Sequence, residues 1–251
     1  MGYFDVAHLA EMGDADSATF SEVTSYEPLL ARFNQLHTGV LAQIETNSLN
    51  LNIIKPDNPI TQQSVCTIEP KNILCTQYLR TRGEALVVER LMGREEVATV
   101  KNIEARRHPV IELRLLPDYL VLEFIMPPDA WWDQENLVGK LTVSRHKQTY
   151  HGLLRQFRAA YRMGFWRGTH LSNMHLTAAQ FQHPRIMQEW MSTFEPSKDW
   201  FRLGIWYRHD DDRLHPDTIL EELTKEIKIL YTLYEHFLWT SDNNYREFYE
   251  K

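Results

Sequence analysis

The stretch Pro109-Val110-Ile111-Glu112-Leu113-Arg114-Leu115-Leu116-Pro117-Asp118-Tyr119-Leu120-Val121-Leu122-Glu123-Phe124-Ile125-Met126 decides the fold class. Ile111, Leu113 and Leu115 alternate along its first half, and Leu120, Leu122, Phe124 and Met126 along its second. A period of two belongs to a half-buried strand, so the stretch reads as a β-hairpin turning near Pro117-Asp118. Opposing Arg114 to Glu123 keeps both apolar sets on one face. A slip of two residues would set Glu112 against Glu123, a like-charge pair, so the first register is the expected one.

Working outward, Ile73–Leu79, Ala85–Leu91 and Glu96–Ile103 read as further strands, a meander of roughly five with the hairpin included. Trp200–Tyr207 alternates in the same way. Helical spacing appears over residues 25–45 behind a Thr24/Glu27 capping box, and over 144–163 ahead of Gly164. It recurs over 216–239, where Leu220, Leu223, Ile227, Leu230, Tyr234 and Phe237 share a face. Asp129 is placed as N-cap of a short helix carrying Trp131, Trp132 and Leu137, Thr177 and Gln180 as a second capping box, and Pro184 as a helix start. The expected fold is α+β: an antiparallel sheet from about 65–126 plus 200–207, flanked by amphipathic helices. Residues 1–23 read as an acidic N-terminal arm, loose or docked, and 24–251 as a single domain.

The chain has 251 residues, a formal charge of −7 and 43% hydrophobic residues. That composition suits a packed core, and its charge argues against a protein coated in nucleic acid or lying on an anionic membrane. There is no secretory signal and no apolar run long enough to span a bilayer, so a cytoplasmic location is expected. Cys66 and Cys75, the only cysteines, form no CxxC pair and are expected as buried thiols.

Against the acidic background, one segment reverses sign. On a helix over 144–163, Lys147, His151, Arg155, Arg158 and Arg162 fall in a stripe about 80° wide. Tyr150, Leu153, Leu154, Phe157 and Tyr161 face elsewhere, and Arg145 and Arg167 lie close in sequence. Cations aligned at helical rise suit phosphates or an acidic protein surface, while the plainer account is a solvated face paired with acids from elsewhere. Trp166, in the run Gly164-Phe165-Trp166-Arg167-Gly168, could stack on a ring. Trp131 and Trp132 are adjacent on one helix, so both cannot point inward, and one is expected to face a partner.

Other chemistry is weakly represented. His146, His151, His170, His175 and His183 lack the spacing of a helical metal pair, and no metal site is assigned. Asp210-Asp211-Asp212 lacks the alternation of a calcium loop and reads as a helix cap. No GxSxG elbow, P-loop or GxGxxG motif occurs, so neither a cofactor nor a catalytic residue is assigned. The reading is a non-enzymatic binding or adaptor protein, or an accessory subunit, engaging a protein or nucleic-acid partner through the basic helix and nearby aromatics. One alternative is an enzyme acting on a phosphate-bearing small molecule, with Arg155, Arg158 and His151 as anion ligands and His170 or Glu123 as acid/base. The other is a purely structural subunit of an assembly.

Overall fold

The computed structural model describes residues 2–14, 27–53, 55, 57–67, 72–99 and 101–245. In chain order its elements are α1 (Val6–Asp14), α2 (Glu27–Thr46), β1 (Leu74–Tyr78), α3 (Arg82–Glu89), β2 (Val110–Leu115), β3 (Tyr119–Met126) and α4 (Trp131–Thr142). They continue with α5 (Ser144–Leu154), β4 (Tyr161–Gly164), β5 (Leu176–Thr177), α6 (Ala178–Phe181), α7 (Pro184–Met191), β6 (Phe201–Arg208) and α8 (Ile219–Phe237). The strands form one antiparallel sheet in the order β1-β2-β3-β6-β4-β5, so the fold is α+β with the 109–126 hairpin at its centre.

The sheet has two unlike faces because its strands alternate. Ile111 and Leu113 of β2, Leu122 and Phe124 of β3, and Leu203 and Ile205 of β6 share one face, and all are fully buried. Leu223, Ile227, Leu230 and Phe237 of α8 join them in one core with Leu29, Phe33, Leu36 and Val40 of α2. Each large side chain so buried contributes ~1.5–3 kcal/mol. Tyr3, Phe4, Leu9 and Met12 belong to the same core, so the beginning of the acidic arm is docked. Residues 15–23 of that arm, and the Thr24 capping box, lie outside the described residues.

The hairpin register differs from the expected one. Glu112 stands directly opposite Glu123, and Arg114 opposite Val121. The tight turn decides this: Leu116 N–H donates to Tyr119 O at 2.8 Å, and Leu115 then pairs with Leu120. The like-charge pair is tolerated because two arginines lie against it, as described below.

Two expected strands are absent. Ala85–Leu91 opens as α3, because Thr81 and Glu84 close a capping box: Thr81 Oγ1 accepts from Glu84 N at 3.2 Å, and Glu84 Oε2 from Thr81 N at 3.0 Å. That box decides against the β-propensity of Val87-Val88. The described residues of that stretch, 96–99 and 101–103, hold turns and irregular backbone, and the buried Glu89 carboxylate holds their far end by accepting from Glu104 N at 2.7 Å. The helix expected over 144–163 ends at Leu154, where Gln182 Nε2 donates to Leu154 O at 3.1 Å and Phe157 O at 2.6 Å. The chain then pairs with β6 as β4, so Gly164 ends a strand rather than a helix. Phe157 and Tyr161 suit a helix face, and Tyr161 and Met163 equally suit a strand; pairing with the central strand β6 chooses. The expected Asp129 cap is displaced by one residue to Ala130, and Asp129 instead pairs with Arg106 at 3.3 Å. The Thr177/Gln180 box and the Pro184 start are present.

Candidate functional site

The second face of the sheet carries a polar row across its full width. Gln77, Glu112, Glu123, Gly204, Arg162 and Thr177 are successive cross-strand neighbours. Glu112, Glu123, Arg114 and Arg202 are all fully buried. Arg114 spans the two carboxylates, donating from Nη1 to Glu112 and from Nη2 to Glu123 Oε2 at 2.8 Å. Arg202 closes the group with a two-point contact on Glu123, at 2.8 and 2.6 Å. Two acids and two bases balance, and burial is survivable because nearly every lone pair and donor has a partner.

The leftover donors and acceptors of this group hold loops over the sheet. Glu112 accepts from Ser64 Oγ at 2.7 Å, Val65 N at 3.1 Å and Gln77 Nε2 at 3.2 Å. Arg202 donates to Gly168 O at 2.6 Å, and Arg114 to Thr169 O at 3.2 Å. Gly168 has φ +99°, a conformation side chains disfavour, and its N–H reaches Cys66 O at 3.2 Å, joining the two loops. Trp166 roofs the group: Arg202 lies 4.5 Å from its ring, and its Nε1 donates to His170 O at 2.9 Å. Trp166 is therefore a buried lid on a charge network, with its stacking face occupied. Cys66, in one of these loops, and Cys75 on β1 are buried free thiols, and burial raises the pKa of both, that of Cys66 to about 11.

The cations of the 147–162 stripe divide into two sets. Arg158 turns back onto α8, donating to Glu222 and to Tyr207 Oη at 2.8 Å, with Glu226 Oε1 at 3.1 Å. Burial works against the Arg158 charge, but the Glu222 and Glu226 carboxylates outweigh it and hold its pKa above the ordinary value. Arg162 sits on β4 and donates to Ala159 O and Tyr161 O, both at 2.8 Å. These two are separated from the helical stripe by its end at Leu154.

Lys147, His151 and Arg155 remain together on and just beyond α5. Lys147 donates to Gln188 Oε1 of α7 at 2.9 Å, a neutral partner. Among the described residues neither Lys147, Arg155 nor the nearby Arg145 makes an ion pair, although the chain holds 34 acids. The histidines register this: His151 has its pKa lowered by burial and then by Lys147 and Arg155, and His146 by burial and then by Lys140 and Arg145. Among the described residues no acid from elsewhere compensates these three cations. Arg167 is likewise without an ion pair and lies over the Trp200 ring at 5.8 Å.

Trp131 stacks on Trp132 with centroids 4.7 Å apart, and Trp239 packs tilted against Trp132 at 4.9 Å. Trp131 is 37% exposed and forms the open end of this stack. Sequence reasoning missed how α4 makes the stack possible. Asp133, Asn136 and Lys140, three and four residues apart and at most 1% exposed, form a polar stripe that grips the segment after α8. Asp133 accepts from Trp239 N at 2.7 Å, and Asn136 Oδ1 from Tyr245 N at 2.9 Å. Asn136 Nδ2 donates to Asn243 O at 3.0 Å, and Lys140 Nζ to His236 O at 2.6 Å. The 3–4 spacing was visible in the sequence, and its partner segment was not.

The remaining candidates are dispersed. Asp211 caps a 3-10 turn at Asp212–Leu214 and pairs with Arg213, and Asp210 pairs with Arg208. Among the described residues no group of three or more His, Cys, Asp and Glu side chains is placed to hold a metal ion. Glu123 is committed to two arginines and Arg158 to α8, so neither is available beside His151 and Arg155 for a phosphate-bearing substrate. No helix among the described residues is long and apolar enough to cross a membrane. No protein-family model matches the chain, and no curated protein matches its sequence.

Proposed function

We propose that the protein is a non-catalytic binding protein or accessory subunit that engages an acidic protein partner through the Lys147/His151/Arg155 face of α5. The observation that carries this reading is that Lys147, Arg145 and Arg155 make no ion pair among the described residues, in a chain of charge −7. Surface cations are normally indifferent to one another at a Debye length of about 8 Å, but neighbours on one helix lie well inside it. Such a face gains free energy when an acidic surface neutralises it, and it speeds association by steering. A protein partner fits better than nucleic acid, because a duplex, with one negative charge per about 1.7 Å of axis, extends past these few cations onto the acidic remainder of the molecule.

The test uses the full chain with fluorescent decaglutamate as probe, and a short DNA duplex for comparison. Saturable peptide binding at low salt is expected, weakening as salt rises and falling about tenfold in Lys147→Glu/Arg155→Glu. Unchanged binding in the variant, or tighter binding of the duplex than of the peptide, overturns the proposal.

A further inference from the structure

β1 is an outer strand of the sheet, and among the described residues its open edge is bridged at two points. Thr61 and Cys75 exchange backbone hydrogen bonds at 2.8 Å each, and Asn52 and Leu79 at 2.7 and 2.9 Å. Both bridges are isolated, so neither runs on into a ladder. Backbone groups alternate in direction along a strand, so Gln77, midway between Cys75 and Leu79, turns its N–H and C=O to the same edge. Among the described residues neither group has a backbone partner there. Extending the Thr61 bridge would bring Pro59 opposite Gln77, and proline has no N–H to donate. The edge is left with a gap one residue wide.

Gln77 lines a cleft of about 360 Å³, together with Thr61 and Leu79 from the two bridges. Its apolar wall includes Val65, Leu79 and Ile103, all buried, and the first two belong to one small apolar cluster. The charges on the wall are unequal. Glu104 and Arg106 pair with each other at 3.3 Å, Glu104 also with Arg94 and Arg107, and Arg106 with Asp129. Lys55, on the same wall, is exposed and makes no ion pair among the described residues. The cleft therefore combines a backbone donor and acceptor side by side, an apolar surface and the Lys55 ammonium.

From Cys75 to Leu79 the strand covers about 13 Å at about 3.3 Å per residue, and both ends are occupied, so a partner's strand cannot add to it. One residue's N–H and C=O fit. From this arrangement we infer that the cleft binds an N-acylated aliphatic amino acid. Its amide N–H donates to Gln77 O, one carboxylate oxygen accepts from Gln77 N–H, and the other meets the Lys55 ammonium. Residues opposed across an antiparallel pair share a face, so the ligand side chain falls on the side of Gln77 and Leu79, against the apolar wall. The cleft volume is at the small end of ligand pockets and suits a molecule of this size. This site is separate from the α5 face proposed for an acidic partner, and it stands or falls independently.

The test is titration of the isotope-labelled full chain with N-acetyl-L-leucine, read by amide chemical shifts and hydrogen exchange. Saturable binding is expected, with the Gln77 amide shifted and its exchange slowed about fivefold or more. N-acetyl-N-methyl-L-leucine, which lacks the N–H, and N-acetyl-L-leucinamide, which lacks the charge, should each bind about tenfold more weakly. Lys55→Gln should weaken binding of the acid about tenfold, whereas Lys225→Gln, the same charge change on α8, should leave it within about twofold. No saturable binding up to about 10 mM, binding that leaves the Gln77 amide unmoved, or equal weakening by both lysine variants overturns the inference. Tighter binding of acetyl-trialanyl-leucine than of N-acetyl-L-leucine overturns it in favour of peptide C-termini.

Discussion

Glu112 and Glu123 face each other directly across β2 and β3, both fully buried, and Arg114 donates to both. The like-charge opposition that argued against this register becomes its organising feature once Arg114 and Arg202 are counted. One pair of carboxylates and two guanidinium groups gather the Ser64 and Gly168–Thr169 loops over the sheet.

Arg114→Met should therefore destabilise the protein by about 3–5 kcal/mol, since it leaves two buried carboxylates opposed without their shared cation. Urea denaturation monitored by tryptophan fluorescence measures it. A loss below about 1 kcal/mol would show that the network contributes little to the folded state.

Gly204 lies opposite Glu123, and a Cβ there would come within 2.8 Å of the Glu123 Cβ and Cγ and of Leu122 O. Because Leu122 O is backbone, the clash cannot be relieved by a rotamer change alone. Gly204→Ala should cost about 1–3 kcal/mol, read as a lowered thermal midpoint. A neutral substitution would mean that the β3 and β6 backbones can move apart here at little cost.

The two sets of cations should respond differently to truncation. Arg158→Ala leaves Glu226, fully buried, without its cation and should cost about 3–5 kcal/mol. Lys147→Ala and Arg155→Ala should stay within about 0.5 kcal/mol of the parent protein. Equal losses in chemical denaturation across all three would erase the distinction between a structural and a free cation.

Stability should fall as pH drops from about 6.5 towards 4. In the folded state the His236 pKa is lowered to about 4 from an ordinary 6.5, first by burial and then by Lys140 and His146. Between those values the unfolded chain takes up a proton that the folded chain refuses, so its contribution is fully present above about 6.5 and is lost on acidification. His37, His108 and His209 are lowered in the same direction by burial and add to the slope. Urea midpoints at several pH values measure this, and His236→Gln should flatten part of the dependence. An identical slope in that variant would assign the acid lability to other groups.

Much of the fold was legible because it rests on local periodicity. The alternation of Ile111, Leu113, Leu122 and Phe124, the 3–4 seam of α8, the capping box at Thr177 and the helix start at Pro184 are properties of neighbours in the chain, and each became the expected element. Two of the failures share a cause. Ala85–Leu91 and Phe157–Met163 are short apolar runs compatible with either period, so a capping box at Thr81 and a pairing with β6 decided them.

The candidate sites divide along the same line. By itself the sequence determined the α+β class, the central hairpin, and the cluster of positive charge at Lys147, His151 and Arg155. Only the tertiary structure decided which cations are spent and which remain. Arg158 meets Glu222 and Glu226 some 64 and 68 positions away, and Arg202 meets Glu123 across 79, whereas Lys147 and Arg155 meet no acid among the described residues. Whether a charge is paired depends on side chains brought together by long-range folding, and residue spacing along one helix carries no record of that.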